Sequence, residues 1–164
     1  MRLVLLAGAL CTLALMAVPA AALARTGAAE VREGPRGGPC FTITPKEEVR
    51  GTPDFQSVTV SDGQRPQWKM TMPPERTFPL SFSMCVPYGG QVASLPHTPA
   101  AELQTGKVYY LRIEARPGKL RGAAQAYEAR FCLVKQHGGS ATVRQVRDGE
   151  RPGKHLFGCR PAGD

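Results

Sequence analysis

From position 40 to position 146 this chain is written largely in period two. In Lys107–Ala115 the side chains Tyr109, Leu111, Ile113 and Ala115 fall on every second residue; in Tyr127–Lys135 so do Tyr127, Ala129, Phe131 and Leu133. Successive side chains of an extended strand point to opposite faces, so such runs bury one apolar face as strands and not as helices. Five further segments read the same way. They are Cys40–Thr44 with Phe41 and Ile43 in phase, Gln56–Ser61, Gln67–Met72 with Trp68, Met70 and Met72 in phase, Leu80–Val86 with Leu80, Phe82, Met84 and Val86 in phase, and Ala141–Val146. Turn signals at Asp62-Gly63 and His137-Gly138-Gly139 separate neighbours. Pro66, Pro73, Pro74, Pro79 and Pro87 sit at run boundaries, where a missing N–H costs least. No long window carries a helical period; Gly122–Glu128 offers at most one turn of helix. The expected fold is all-β, an immunoglobulin-like antiparallel β-sandwich of about seven strands.

The flanks differ from this body. Residues 1–24 carry one charge, Arg2, then an apolar run from Leu3 to Val18 and the small-x-small triplet Ala22-Leu23-Ala24. That is the form of a cleavable signal peptide, which predicts export to the periplasm. Cys11 does not make it a lipoprotein signal: Leu10 before it is too large, and the apolar run continues past it, so no lipobox is expected. The run is also broken by Gly8 and Pro19, which argues against a membrane span of about 20 residues. Residues 25–39 are rich in Gly, Ala, Arg and Glu with Val31 the one aliphatic β-former, and they read as a flexible leader. A single domain is expected over residues 40–164, ending in a Gly- and Pro-rich tail.

Four cysteines follow the export segment: Cys40, Cys85, Cys132 and Cys159. An even number in an exported chain predicts two disulfides, in one of three connectivities. Cys40, Cys85 and Cys132 each lie in the phase opposite their apolar neighbours, so they face away from the main core. The central inter-sheet bridge of antibody domains needs inward cysteines, and is disfavoured. The favoured pairing is Cys40–Cys85 with Cys132–Cys159, which pins the first strand and the tail to the sheet.

Without residues 1–24 the chain has 20 basic and 13 acidic side chains, a net charge of +7. The cations are interspersed with acids, which suits a solvated basic surface or attraction to an acidic partner. No basic stripe interleaved with aromatics points to nucleic acid, and none is expected as a partner. The three histidines, His97, His137 and His155, have no ligand spacing with one another and there is no Cys-x-x-Cys, so no metal or cofactor is expected. There is no Gly-x-Ser-x-Gly elbow, and Glu47-Glu48, read as strand residues, would point to opposite faces. No catalytic residue is assigned, and the chain is not expected to be an enzyme. Two features remain for binding: the basic loop Arg116-Pro117-Gly118-Lys119-Leu120-Arg121, with Arg116, Lys119 and Arg121 as contacts, and Tyr88 in the turn Cys85-Val86-Pro87-Tyr88-Gly89-Gly90. Tyr88 either caps the core or anchors an interface.

Taken in order, Cys40-Phe41, Trp68, Cys-Val-Pro-Tyr-Gly at Cys85–Gly89, Leu-x-x-Gly-Lys-x-Tyr at Leu103–Tyr109 and Tyr-x-x-x-Phe-Cys at Tyr127–Cys132 form a set. Over about residues 40–146 the set resembles the type VI secretion immunity periplasmic lipoproteins. The resemblance implies a non-catalytic protein that neutralises a toxin effector delivered into the periplasm. Its matching residues (Cys40, Cys85, Tyr88, Gly89, Tyr127, Cys132) are implied fold determinants, and no toxin contact carries over. The missing lipobox departs from that family, so lipid anchoring does not carry over either.

The leading expectation is a periplasmic binding protein that occludes a protein partner. The alternative is an accessory envelope module that binds acidic proteins or anionic polymers. A hydrolase would require a site assembled from distant residues.

Overall fold

The computed structural model describes residues 25–76, 78–90, 95–116, 122–147 and 159. They form eight strands and one short helix: β1 (Thr26–Glu33), β2 (Pro39–Ile43), α1 (Pro45–Val49), β3 (Asp54–Asp62), β4 (Arg65–Thr71), β5 (Val86–Pro87), β6 (Val108–Arg116), β7 (Ala126–Lys135) and β8 (Ala141–Val146). The all-β fold is as expected. The strands join in the order β4-β3-β6-β7-β1-β2-β5, with β8 also paired to β7. This continuous sheet curls into a half-barrel.

Two features separate it from a purely antiparallel sandwich. The strand count is eight, and one pairing is parallel: Thr26–Ala28 of β1 lie beside Ala126–Glu128 of β7. From Ala29 onward β1 leaves β7 and pairs antiparallel with β2, while β8 takes up β7 from Arg130. One strand thus serves both walls of the fold. At the fork the Gln145 side chain substitutes for a strand residue. Its Oε1 accepts from the Val31 N–H at 2.8 Å and its Nε2 donates to the Ala29 carbonyl at 3.1 Å, so two buried backbone groups of β1 keep partners.

β1 corrects the expectation of a flexible leader over residues 25–39. Composition undervalues it because its inward residues are small: Gly27, Ala29 and Val31 are buried. A Cβ on Gly27 would lie 2.6 Å from the Tyr127 ring and 2.8 Å from Glu47 Oε2, so only glycine allows this approach. Pairing on both edges and a close fit replace large apolar side chains.

The core fills the curl. Phe41, Trp68, Tyr109, Tyr127 and Phe131 are almost fully buried, with Phe41 5.6 Å from Phe131 and Tyr109 5.7 Å from Phe131 between ring centroids. Both tyrosine hydroxyls accept from backbone: Tyr109 from Gln104 N–H at 2.8 Å, Tyr127 from Ala124 N–H at 3.1 Å. β6 alternates as expected, with Tyr109, Leu111, Ile113 and Ala115 all inward. The β3–β4 hairpin turns at Gly63, whose φ of 55° is the left-handed conformation that glycine adopts freely.

Both expected disulfides are present. Cys40–Cys85 and Cys132–Cys159 span Cα separations of 5.5 and 5.8 Å. The phase reading explains where they lie. Phe41 and Ile43 enter the main core, whereas Cys40 and Thr42 are buried on the other side of β2. Cys132 likewise sits with Val108, Val146 and Cys159 in a separate small cluster. Each bridge therefore clamps a segment onto the outside of the sheet.

The segment clamped by Cys85 departs from expectation. Leu80–Val86 is not a strand; only Val86–Pro87 pairs, with β2. Leu80 and Val86 are buried, yet Met84 is 40% exposed. The backbone here is satisfied by side chains instead of a neighbouring strand. Thr42 Oγ1 donates to the Ser81 carbonyl at 2.9 Å, Arg32 donates to the Phe82 carbonyl at 2.9 Å, and Glu48 Oε1 accepts from the Phe82 N–H at 3.0 Å. Arg32 also lies 5.2 Å from the Phe82 ring centre. The alternation of the sequence is not matched by alternating burial here. The other sheet end is covered differently: β4 exchanges backbone hydrogen bonds with residues 96–101, so its edge is not open.

Candidate functional site

The chain turns from β2 into α1 at Thr44-Pro45-Lys46-Glu47-Glu48. Proline at the first helical positions and two acids in the first turn suit a helix start, where unpaired N–H groups carry partial positive charge. Helical spacing sends the two glutamates to different tasks. Glu48 holds the Phe82 N–H, as above. Glu47 turns inward under Gly27 and is only 5% exposed.

Burying a carboxylate is costly unless it is paired. Arg25 supplies the pair: Nη1 donates to Glu47 Oε1 at 3.0 Å and Nη2 to Oε2 at 2.6 Å, a two-pronged contact. Nη2 also donates to the Gly122 carbonyl at 2.7 Å, which ties β1, α1 and the approach to β7 together. Arg50 adds a looser contact at 3.8 Å. The hydrogen bonds from Arg25 hold the Glu47 carboxyl below the usual carboxylate range against the opposing effect of burial, and the same contact raises Arg25. A carboxylate so occupied is an anchor, not a proton donor or acceptor. The sequence reading missed it by treating Glu47-Glu48 as strand residues; the proline after Thr44 was the available signal for a helix.

Above this anchor opens a groove of about 1030 Å³. It runs from α1 across the fork of β1, β7 and β8 onto the outward positions of β6 and β7. Among the described residues six cationic side chains line it (Arg25, Lys46, Arg50, Arg112, Arg130 and Arg147) against two acids, Glu47 and Glu128. Both acids are engaged within the fold, Glu47 with Arg25 and Glu128 with Arg112. Lys46, Arg50, Arg112 and Arg147 are exposed. The phenol ring of Tyr110, 45% exposed on β6, adds an aromatic surface. Among the described residues the groove therefore presents excess positive charge with no uncommitted carboxylate, which suits an anion. Among the described residues no three His, Cys, Asp or Glu side chains gather as metal ligands, and no helix is long and apolar enough to cross a membrane.

The residues proposed from sequence fall elsewhere. Tyr88 is half-buried against the core, its ring 5.4 Å from Trp68 and 6.4 Å from Phe41, edge-on to both. Its hydroxyl donates to the Ala101 carbonyl at 2.7 Å, and burial, reinforced by Tyr109, pushes its pKa up to about 12. Of its two readings, the geometry gives the core cap. Arg116 ends β6 and donates to the Pro74 carbonyl at 2.6 Å, outside the groove. Lys119 and Arg121 lie outside the described residues, as do the export segment and most of the tail. Cys159 is described and joins the tail to β7.

The class that emerges is an all-β half-barrel, braced by two disulfides, with a cationic groove over its fork. Two disulfides point to folding in an oxidising compartment. The chain matches no protein-family model, no curated protein and no solved structure.

Proposed function

We propose that the protein is a non-catalytic, exported binding module that holds an acidic partner surface in the groove beside α1. The observation that carries this reading is the lining: six cations against two acids, with both acids already paired inside the fold. Long-range attraction of this kind speeds encounter and selects the sign of the partner. Occlusion also needs a surface that does not yield, and both disulfides and the Arg25–Glu47 anchor restrain the walls of the half-barrel. The signal-like residues 1–24 supply a route to the periplasm. The resemblance to type VI immunity proteins narrows the partner to a toxin delivered there.

The test is a competition between sibling strains. A deletion strain should be killed by its parent and rescued by the wild-type gene. A gene carrying Lys46→Glu, Arg50→Gln and Arg147→Glu should fold normally and fail to rescue. Full survival of the deletion strain ends the immunity reading. Full rescue by the triple variant ends the role of the groove.

The openness of the groove, which extends from α1 to β8, favours a second reading as an envelope module that binds an extended anionic polymer. Titration with poly-glutamate separates the two. Weak binding of many chains that vanishes by about 0.15 M salt supports the polymer; stoichiometric, salt-resistant binding of one protein supports the toxin.

A further inference from the structure

A half-barrel that does not close leaves a seam between its ends, here β4 with residues 96–101 along its edge, and β5. At that seam the core is reached from outside through a pocket of about 330 Å³. Its floor consists of the buried side chains Phe55, Met70, Leu80, Val86 and Leu95. Its mouth is formed by Phe78, Met72 and Met84, with Phe78 36% and Met84 40% exposed. The volume lies at the lower end of small-molecule sites. Three methionines among the walls give a lining that can reshape around a flexible chain.

The polar part of the lining has one sign. Among the described residues Arg36 and Arg76 are its charged residues, and no acid lines it. Arg36 projects from the β1–β2 turn. The pocket shares no residue with the basic groove. An apolar cavity with cations at the rim is complementary to an apolar chain that ends in a negative head.

We propose that the seam pocket binds a single-chain anionic amphiphile of the fatty-acid class, its alkyl tail among Met70, Met72, Met84 and Leu80 and its carboxylate toward Arg36. This site stands independently of the acidic-partner groove.

The experiment is calorimetric titration of the purified protein with sodium dodecanoate below its micelle concentration. Saturable one-to-one binding is expected, and each methylene removed, through decanoate to octanoate, should weaken it by up to about fourfold. Arg36→Glu, on an exposed turn, should weaken dodecanoate at least tenfold and leave dodecanol binding unchanged. Met84→Glu, which removes a tail contact and places a carboxylate at the mouth, should weaken both dodecanoate and dodecanol, dodecanoate more, without altering the melting temperature by more than a few degrees. Absence of saturable dodecanoate binding overturns the proposal. So does equal affinity for dodecanoate, dodecanol and dodecyltrimethylammonium, which would mean the rim charge selects nothing. A concentration-dependent dimer that Met84→Glu dissociates and dodecanoate does not would assign the pocket to a second copy, and also overturns it.

Discussion

Replacing Glu47 by Gln removes the charge at the base of the groove while keeping the shape of the side chain. In the folded protein that carboxylate is 5% exposed and accepts two hydrogen bonds from one guanidinium. Breaking a fully buried pair costs about 3–5 kcal/mol, and a hydrogen bond to a charged group is worth about 1.5–3 kcal/mol. Arg25 is 35% exposed, and water takes over part of its partnership once Glu47 is neutral, so the lower end applies. The expected loss is about 2–3 kcal/mol, or roughly 8–12 °C in melting temperature for a chain of this size. Arg25→Ala should cost a similar amount, because it leaves the buried carboxylate only the looser contact with Arg50 at 3.8 Å and a hydrogen bond from the Ala28 backbone. The double variant should lose much less than the sum of the two.

The same pair sets a pH dependence. Glu47 titrates lower in the folded protein than in the unfolded chain. Its contribution is therefore complete above the unfolded carboxylate range, about pH 4–5, and is lost as pH falls through the depressed folded value. Urea unfolding of wild type and Glu47→Gln from pH 7 down to pH 3 should show two curves that converge toward acid. A difference below about 0.5 kcal/mol at pH 7, or a gap that stays constant down to pH 3, would refute the reasoning.

Three further outcomes are expected. Gly27→Ala should destabilise by about 1–3 kcal/mol in urea unfolding, because the new methyl meets the Tyr127 ring and Glu47 Oε2 at under 3 Å; an unchanged midpoint would mean that β1 shifts freely. Loop closure over sequence separations of 45 and 27 residues predicts a loss of about 4 kcal/mol when Cys40–Cys85 is replaced by a serine pair, and about 3.6 kcal/mol for Cys132–Cys159; reduction that leaves the melting temperature unchanged would contradict both. Tyr88, titrating at about 12 when folded, contributes stability that is intact below its unfolded value near pH 10 and is lost as pH rises through 12. Tyr88→Phe should therefore be about 1 kcal/mol less stable at pH 7 and show a shallower alkaline loss, which circular dichroism melts between pH 8 and pH 12 would measure.

The legibility of the chain follows from how local each cause is. Period-two patterning marked β6 and β7 because a buried face imposes alternation along the strand itself. The phase of Cys40 and Cys132 showed that both lie off the main core, because in an extended strand phase alone decides the face. Leu80–Val86 carries the same alternation without becoming a strand: beyond Val86–Pro87, which pair with β2, its backbone is held by the side chains of Thr42, Arg32 and Glu48. β1 was misread for the opposite reason: its stability lies in pairing with β2 and β7 and in the closeness of Gly27 to Tyr127, none of which its own composition records.

The candidate site was the least legible part. Its cations come from the residue before β1, from α1 and the residue after it, from β6 and β7, and from the residue after β8, and no local stretch of sequence collects them. By itself the sequence determined the β class, the paired cysteines and the sign of the charge, because side-chain type and parity decide these. Only the tertiary structure decided that β1 would divide between two walls, that Glu47 would be buried beneath Arg25, and that the half-barrel would stop short of closing. Those outcomes depend on which distant strands meet, and that is a property of the whole curl, not of any segment within it.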